Sequence, residues 1–385
     1  MGRCNMYKNV VDFIQETYQT KDFLPLHEPR FIGNEKKYIN EAIDSTFVSS
    51  VGKYVSQFEE MMAKFVGAKY AIATSNGTSA LHIGLKLLGV DEHSEVITQP
   101  LTFIATANAI AYCNAQPIFV DVDKDTLGLS AEKLKLFLEE STFINDNNEC
   151  INKKTNKVIK ACVPMHTFGH VCKIDEIVAI CDKYNIAVVE DSAESLGSYY
   201  KDKHTGTFGK VGIFSFNGNK IITTGGGGMI VTDDEALAKR AKHITTTAKV
   251  PHAYEYIHDE IGYNYRLTNL AAALGVAQME SLEFFIEKQR DLASKYKEFF
   301  KGSEIEFITE PKNSTSNYWL NAIILKDKET RDDFLKYSND NGVMTRSIWR
   351  LMNKLEMFKD AQCGDLSNAE WLEDRVVNIS SSVII

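Results

Sequence analysis

Cysteine pairs at metal-binding spacing are missing from this chain. The seven cysteines, Cys4, Cys113, Cys150, Cys162, Cys172, Cys181 and Cys363, are odd in number and scattered, without one C-x-x-C. That argues against a zinc site and for reduced, mostly structural thiols; no metal is expected. Proline is scarce, 7 in 385 residues, and no Pro-rich linker, low-complexity run or internal repeat divides the chain. No apolar run approaches the ~18 residues of a membrane span, and the mixed, charged start lacks the basic-then-apolar pattern of a leader. A cytoplasmic protein without a membrane partner is the expectation. Met1 and Gly2 open like a myristoylation signal, but Met6 stands where Ser or Thr is required. A basic excess is absent too: 43 Lys+Arg stand against 52 Asp+Glu, a net −9. Such a surface repels nucleic acid, so any phosphate site has to be local.

What is present is the balance of a globular protein, 44% hydrophobic and 25% charged, with length enough for two or three domains. From about Gly33, short β-branched or apolar runs alternate with longer stretches of helical spacing, the grammar of a mostly parallel α/β sheet flanked by helices. Helices are read over 34–44, 53–65, 78–88, 105–113, from a Ser130 cap to 140, and over 174–184; strands over 69–74, 95–99, 117–122, 158–164 and 186–189. Residues 145–157 are polar and turn-rich and read as a surface insertion, since nothing in them buries cheaply. After Tyr265 the texture changes to a long helical stretch over 267–300, a strand over 317–325 and a charged helix over 326–341. The predicted division is a large α/β domain, 1–260, and a smaller α+β domain, 261–385.

Four segments carry chemistry, each at the C-terminal end of a predicted strand, where ligands bind in open α/β sheets. At 75–81, Gly77 permits a tight turn and, with Thr78, opens a helix whose first N–H groups suit a phosphate; an ordinary N-cap turn reads the same way. At 188–197 an apolar strand runs into Glu190 and Asp191, and a carboxylate at Asp191 can pair with a protonated ring nitrogen or simply cap a helix. At 211–228 a single lysine, Lys220, lies between a strand ending near Ser215 and four consecutive glycines. Such apolar surroundings favour a neutral, nucleophilic amine, although most lysines in loops are only exposed. At 262–269, Asn264 and Arg266 offer an amide and a guanidinium to phosphate or carboxylate oxygens.

Together these segments resemble the DegT/DnrJ/EryC1/StrS family of sugar aminotransferases. Its E-D-x-A-x-x-x-G pattern stands at Glu190 to Gly197, S-F-x-x-x-K at Ser215 to Lys220 and G-x-N-x-R at Gly262 to Arg266, within a likeness running from about Leu26 to the C-terminus. The resemblance implies a pyridoxal-phosphate-dependent transferase of fold type I, whose seven-stranded, mostly parallel sheet sits in the large, cofactor-binding domain. The N-terminal segment would pack near the small domain or a partner subunit. It also implies that Lys220 binds the cofactor covalently, that Asp191 pairs with its pyridine nitrogen, and that Gly77, Thr78 and Ser215 hold its phosphate. Phe103 would stack on the ring and Glu194, where many relatives have Gln, would lie near the ring oxygen. Asn264 would reach the phosphate of a neighbouring subunit, which makes a homodimer with shared sites. His166, Arg266, Arg346 and Trp349 are the implied substrate contacts.

A narrower likeness, carried by residues 25–29, 44–52, 164–170, 216–220 and 245–249, points to the branch serving legionaminic-acid biosynthesis. That branch aminates C4 of a nucleotide-linked 2-acetamido-4-keto-2,4,6-trideoxyhexose with L-glutamate as donor; perosamine- and bacillosamine-type enzymes are the alternatives. Asn353 stands where much of the wider family has a histidine after R-x-x-W-x-x-L. Of the other classes, a dehydratase of the same fold would replace Lys220, and a nicotinamide enzyme would need the absent G-x-G-x-x-G. A non-catalytic regulator on the same scaffold would bind no pyridoxal phosphate.

Overall fold

The computed structural model describes residues 3–385, with side chains from Asn5 onward; Met1, Gly2 and the Cys4 thiol lie outside the described residues. Seven strands form the centre of one sheet: β1 Tyr70–Thr74, β2 Ser94–Thr98, β3 Gln116–Phe119, β4 Val158–Val163, β5 Ala187–Asp191, β6 Val211–Ser215 and β7 Gly228–Thr232. Their order is β1-β7-β6-β5-β4-β2-β3. Of these, β7 runs antiparallel to both neighbours, whereas the pairs from β6 to β3 are parallel. Side chains alternate across the sheet. Ile72, Val189, Ile213 and Ile230 meet the helices Gly77–Leu87 and Glu235–Thr245. Ala73, Phe214, Met229 and Val231 meet Lys53–Val66 and Asn269–Glu280. Burial on both faces is why these strands read as continuous apolar runs.

Three short strands widen this sheet to ten. Gln362–Cys363 adds parallel to β3, and the hairpin Thr142–Ile144 and Cys150–Asn152 adds beside β4. The hairpin corrects the reading of 145–157 as a surface insertion at Cys150, Ile151 and Asn152, which are buried, while 146–148 and 153–156 are exposed as that reading expects. Polarity misled there: the Asn152 amide is satisfied by the Glu95 carboxylate at 2.7 Å and Gln362 at 2.9 Å, so its burial costs little.

The helical stretch over 267–300 is two helices, Asn269–Glu280 and Leu282–Phe300, meeting at Ser281. The first buries Ala272, Ala273 and Val276 against the sheet. The second sends Leu292, Tyr296 and Phe300 into a separate core, where Tyr7, Val10, Val11 and Ile14 of the N-terminal helix Arg3–Thr17 join them. Over that core lies a four-stranded antiparallel sheet that includes Asn321–Ile324 and Val376–Ile379. The strand expected over 317–325 is shorter, because Asn317 spends its side chain on the carbonyls of Glu194 and Leu196. Among the described residues no helix is long and apolar enough to cross a membrane. Five of the six described cysteines are buried, Cys363 is exposed, and none is paired.

Candidate active site

At the C-terminal edge of the sheet, β1, β5 and β6 end around a cavity of about 480 Å³. On its floor, Asn76 caps the Gly77–Leu87 helix by accepting the Ser79 N–H at 2.7 Å. The N–H groups of Gly77 and Thr78 are left without intrahelical acceptors. Gly77 is required by proximity: a Cβ there would lie 2.8 Å from Ser215 Cβ and 3.1 Å from its hydroxyl. Helix start and Ser215 together form a seat for an anion.

Asp191 ends β5 and is 3% exposed. Burial raises its pKa, while the Thr106 hydroxyl on Oδ2 at 2.7 Å, the Ala193 N–H on Oδ1 at 3.2 Å and the charges of Lys220 and His166 oppose that. Thr106 is itself held by Thr102 at 2.9 Å. The carboxylate is therefore aimed and hydrogen-bonded toward a cationic partner.

Lys220 follows β6, and its Nζ lies 3.4 Å from Glu194 Oε1 and 3.9 Å from the centre of the Trp319 ring. The Trp319 indole N–H donates to the Asn219 carbonyl at 2.6 Å, which fixes the ring under the amine. Glu194 accepts the Phe168 N–H on Oε2 at 2.8 Å. Burial pushes its carboxyl up to about 7 against the pull of Lys220.

Phe103, Arg346 and Trp349 line the outer part of the cavity. Phe103 is 50% exposed, which excludes core packing as its role, and its ring meets Trp349 edge-on at 6.5 Å. Trp349 also packs on Phe168 at 5.1 Å.

Of the sequence candidates, the structure brings Gly77, Thr78, Phe103, Asp191, Glu194, Ser215, Lys220, Arg346 and Trp349 to this one cavity. Three lie elsewhere. His166, read as a substrate contact, is fully buried behind β5, with its ring on Glu190 at 3.1 Å and Cys172 at 3.5 Å. Burial opposes its charge, and Cys172 and Glu190 more than offset that, so its pKa is raised. Arg266, also read as a substrate contact, lies 3.8 Å from Glu59 and lines a separate cavity of about 680 Å³ with Phe47, Gly52 and Lys242. The antiparallel bridge between Arg266 and Thr74 turns it to that side. Asn264 is exposed, is bridged to Thr246 and does not line the active-site cavity of its own chain. Sequence reading missed Thr106, Phe168, Asn317 and Trp319. No local pattern marks them, because each acts on a segment remote in sequence.

An amine, an aimed acid and an anion seat converging at a sheet edge fit a phosphorylated pyridine aldehyde. Ser215 with the helix start would hold its phosphate, Asp191 its ring nitrogen and Lys220 its carbonyl carbon. That set of groups suits a pyridoxal phosphate-dependent transferase. Residues 29–384 match the DegT/DnrJ/EryC1/StrS aminotransferase family, and the chain belongs to it; it is a pyridoxal phosphate-dependent sugar aminotransferase. It is 40% identical to EpsN of Bacillus subtilis (strain 168), described provisionally as a pyridoxal phosphate-dependent aminotransferase, over 87% of this chain and 84% of that one. It is 39% identical to the GDP-perosamine synthase of Escherichia coli O157:H7, over 88% of each chain. The solved structure of Helicobacter pylori PseC, an aminotransferase involved in the biosynthesis of pseudoaminic acid, matches with a TM-score of 0.83 at 25% identity, over 93% of this chain and 94% of that one.

Proposed function

We propose that this enzyme transfers the amino group of L-glutamate to C4 of a nucleotide-linked 4-keto-6-deoxy sugar in the cytosol, as a homodimer with shared sites. The observation that carries the reading is the convergence of Lys220, Asp191 and the Gly77 turn on a cavity whose mouth is aromatic and cationic, at Phe103, Trp349 and Arg346. Pyridoxal phosphate supplies the electron sink that lets an amino group leave one carbon and join another. The chain supplies the rest. Lys220 Nζ takes and returns the proton that moves during transfer. Asp191 holds positive charge at the ring nitrogen, and the first turn of the Gly77–Leu87 helix anchors the phosphate end so that the reacting end can shift. The aromatic mouth suits the flat base and sugar face of a nucleotide sugar, and Arg346 suits its diphosphate.

Two substrates remain distinct readings. The motif likeness favours the 2-acetamido-4-keto-2,4,6-trideoxyhexose of legionaminic-acid biosynthesis. The 39% identity to a GDP-perosamine synthase favours a GDP-linked sugar without the acetamido group. Purified protein, glutamate and a panel of UDP- and GDP-linked 4-keto sugars decide between them by mass spectrometry of the amino-sugar product. Borohydride reduction and peptide mapping are expected to find the cofactor on Lys220, and Lys220→Ala to abolish turnover; an adduct on another lysine would sink the site assignment.

A further inference from the structure

The contact between Lys220 and Glu194 joins two titratable groups whose side chains are only 12% and 2% exposed. Burial disfavours an ion pair relative to its neutral form, because two charges lose their water while they gain each other. Oε2 of Glu194 is committed to the Phe168 N–H, which leaves Oε1 as the oxygen facing the amine. Phe168 adopts φ 58°, ψ 14° to make that bond, a backbone region costly for a bulky residue. The strain sits at the group that aims Glu194. On the other side of the amine, the Trp319 face attracts a cation but has no site for a proton.

We infer that Glu194 is the proton partner of Lys220: the ammonium gives its proton to Glu194 Oε1 rather than to water whenever the amine must be neutral. The N–H bond breaks with its electron pair staying on nitrogen, an O–H bond forms on Oε1, and a neutral amine and a neutral carboxylic acid result. Nothing is oxidised or reduced. An amide at this position could accept a hydrogen bond from Lys220 but could not store the proton. The inference rests on Lys220 being the cofactor lysine.

The charged and titratable groups facing this pair are few. Asp191 raises the Glu194 pKa by like charge, and His166 lies behind Asp191. His27, near Lys220, is held neutral, with burial first and then Arg30 and Lys220 lowering its pKa to about 3. Neither histidine competes for the Lys220 proton near neutrality.

The test labels cofactor-free full-length chain with acetic anhydride and follows Lys220 acetylation by peptide mass spectrometry across the neutral range. If Glu194 stores the proton, labelling rises to a plateau near the Glu194 titration at about 7 and rises again only when the shared proton leaves the pair. Glu194→Gln should remove the plateau and leave one continuous rise of about tenfold per pH unit, and Glu194→Asp should restore it. The visible absorbance that develops on adding pyridoxal phosphate should show the same loss and rescue in its rate. A single rise in the unaltered chain overturns the inference, whether or not the variants fold, and so does a plateau that survives Glu194→Gln. Borohydride mapping separates the two assignments. An adduct on another lysine fails the Lys220 reading, whereas an adduct on Lys220 with a single rise fails only the role of Glu194.

Discussion

Glu190 and Asp191 are adjacent acids with opposite tasks, because successive strand residues point to opposite faces. Glu190 accepts N–H groups of Gly206, Phe208 and Gly209 at 2.5 to 2.8 Å and the His166 ring at 3.1 Å, so it ties a loop to β5. Asp191 faces the cavity. Its hydroxyl partner Thr106 is expected to matter more than its distance from the chemistry suggests. A hydrogen bond to a charged group is worth about 1.5–3 kcal/mol, so Thr106→Val should raise the Asp191 pKa further and slow amino transfer at least roughly tenfold. Thr106→Ser should recover most of the rate, and borohydride mapping should still find Lys220 modified in both. The raised Glu194 carboxyl has a consequence for stability as well. Ionising it costs folding free energy, so the stability present in acid is lost as pH climbs from about 4.5 through about 7. Cofactor-free Glu194→Gln escapes that loss. Its melting temperature should gain on the unaltered chain across this window and hold the gain above it; parallel pH profiles would refute this.

At the scale of elements, the anion seat is made by a helix start and a strand end pressed together. Gly77→Ala would put a methyl group 2.8 Å from Ser215 Cβ, with backbone on one side and a strand on the other. The expected result is pyridoxal phosphate affinity weakened roughly tenfold or more, as for loss of one charge-assisted contact, with the thermal midpoint lowered as well, since the crowded methyl group forces Ser215 or the helix start to shift. Cofactor titration followed by absorbance measures it. Unchanged affinity would mean the phosphate is held elsewhere. Asn76→Ala acts differently, because it removes the cap on Ser79 N–H and should cost about 1 kcal/mol of stability. The helix break at Ser281 belongs to this scale too. The first helix and the start of the second, at Leu282 and Phe285, pack into the sheet-side core, and only from Leu292 does the second helix feed the other; a continuous helical pattern in the sequence hides the break.

For the whole molecule, the second cavity and its surroundings bear on the homodimer proposed above. Phe47, Val51, Tyr254, Tyr256 and Ile261 are exposed apolar or aromatic side chains, Phe47 and Val51 in the cavity that Arg266 lines, and side chains of this kind would suit the homodimer proposed above. If Asn264 serves the neighbouring subunit, mixing Lys220→Ala with Asn264→Ala chains should restore part of the activity, since one site in each mixed dimer has both residues sound. A tagged, co-purified mixture no more active than its parts would exclude shared sites. By itself the sequence determined the α/β class, the Ser130 cap and the contiguous motifs at strand ends around Asp191, Ser215 and Lys220, because turn chemistry and strand pattern are local and survive in one dimension. Only the tertiary structure decided that Thr106 reaches Asp191 across 85 residues, that Trp319 lies under Lys220, and that His166 and Arg266 turn away from the cavity. Those outcomes depend on strand order and on which face of a strand each side chain takes, and neither is written in any short stretch of residues.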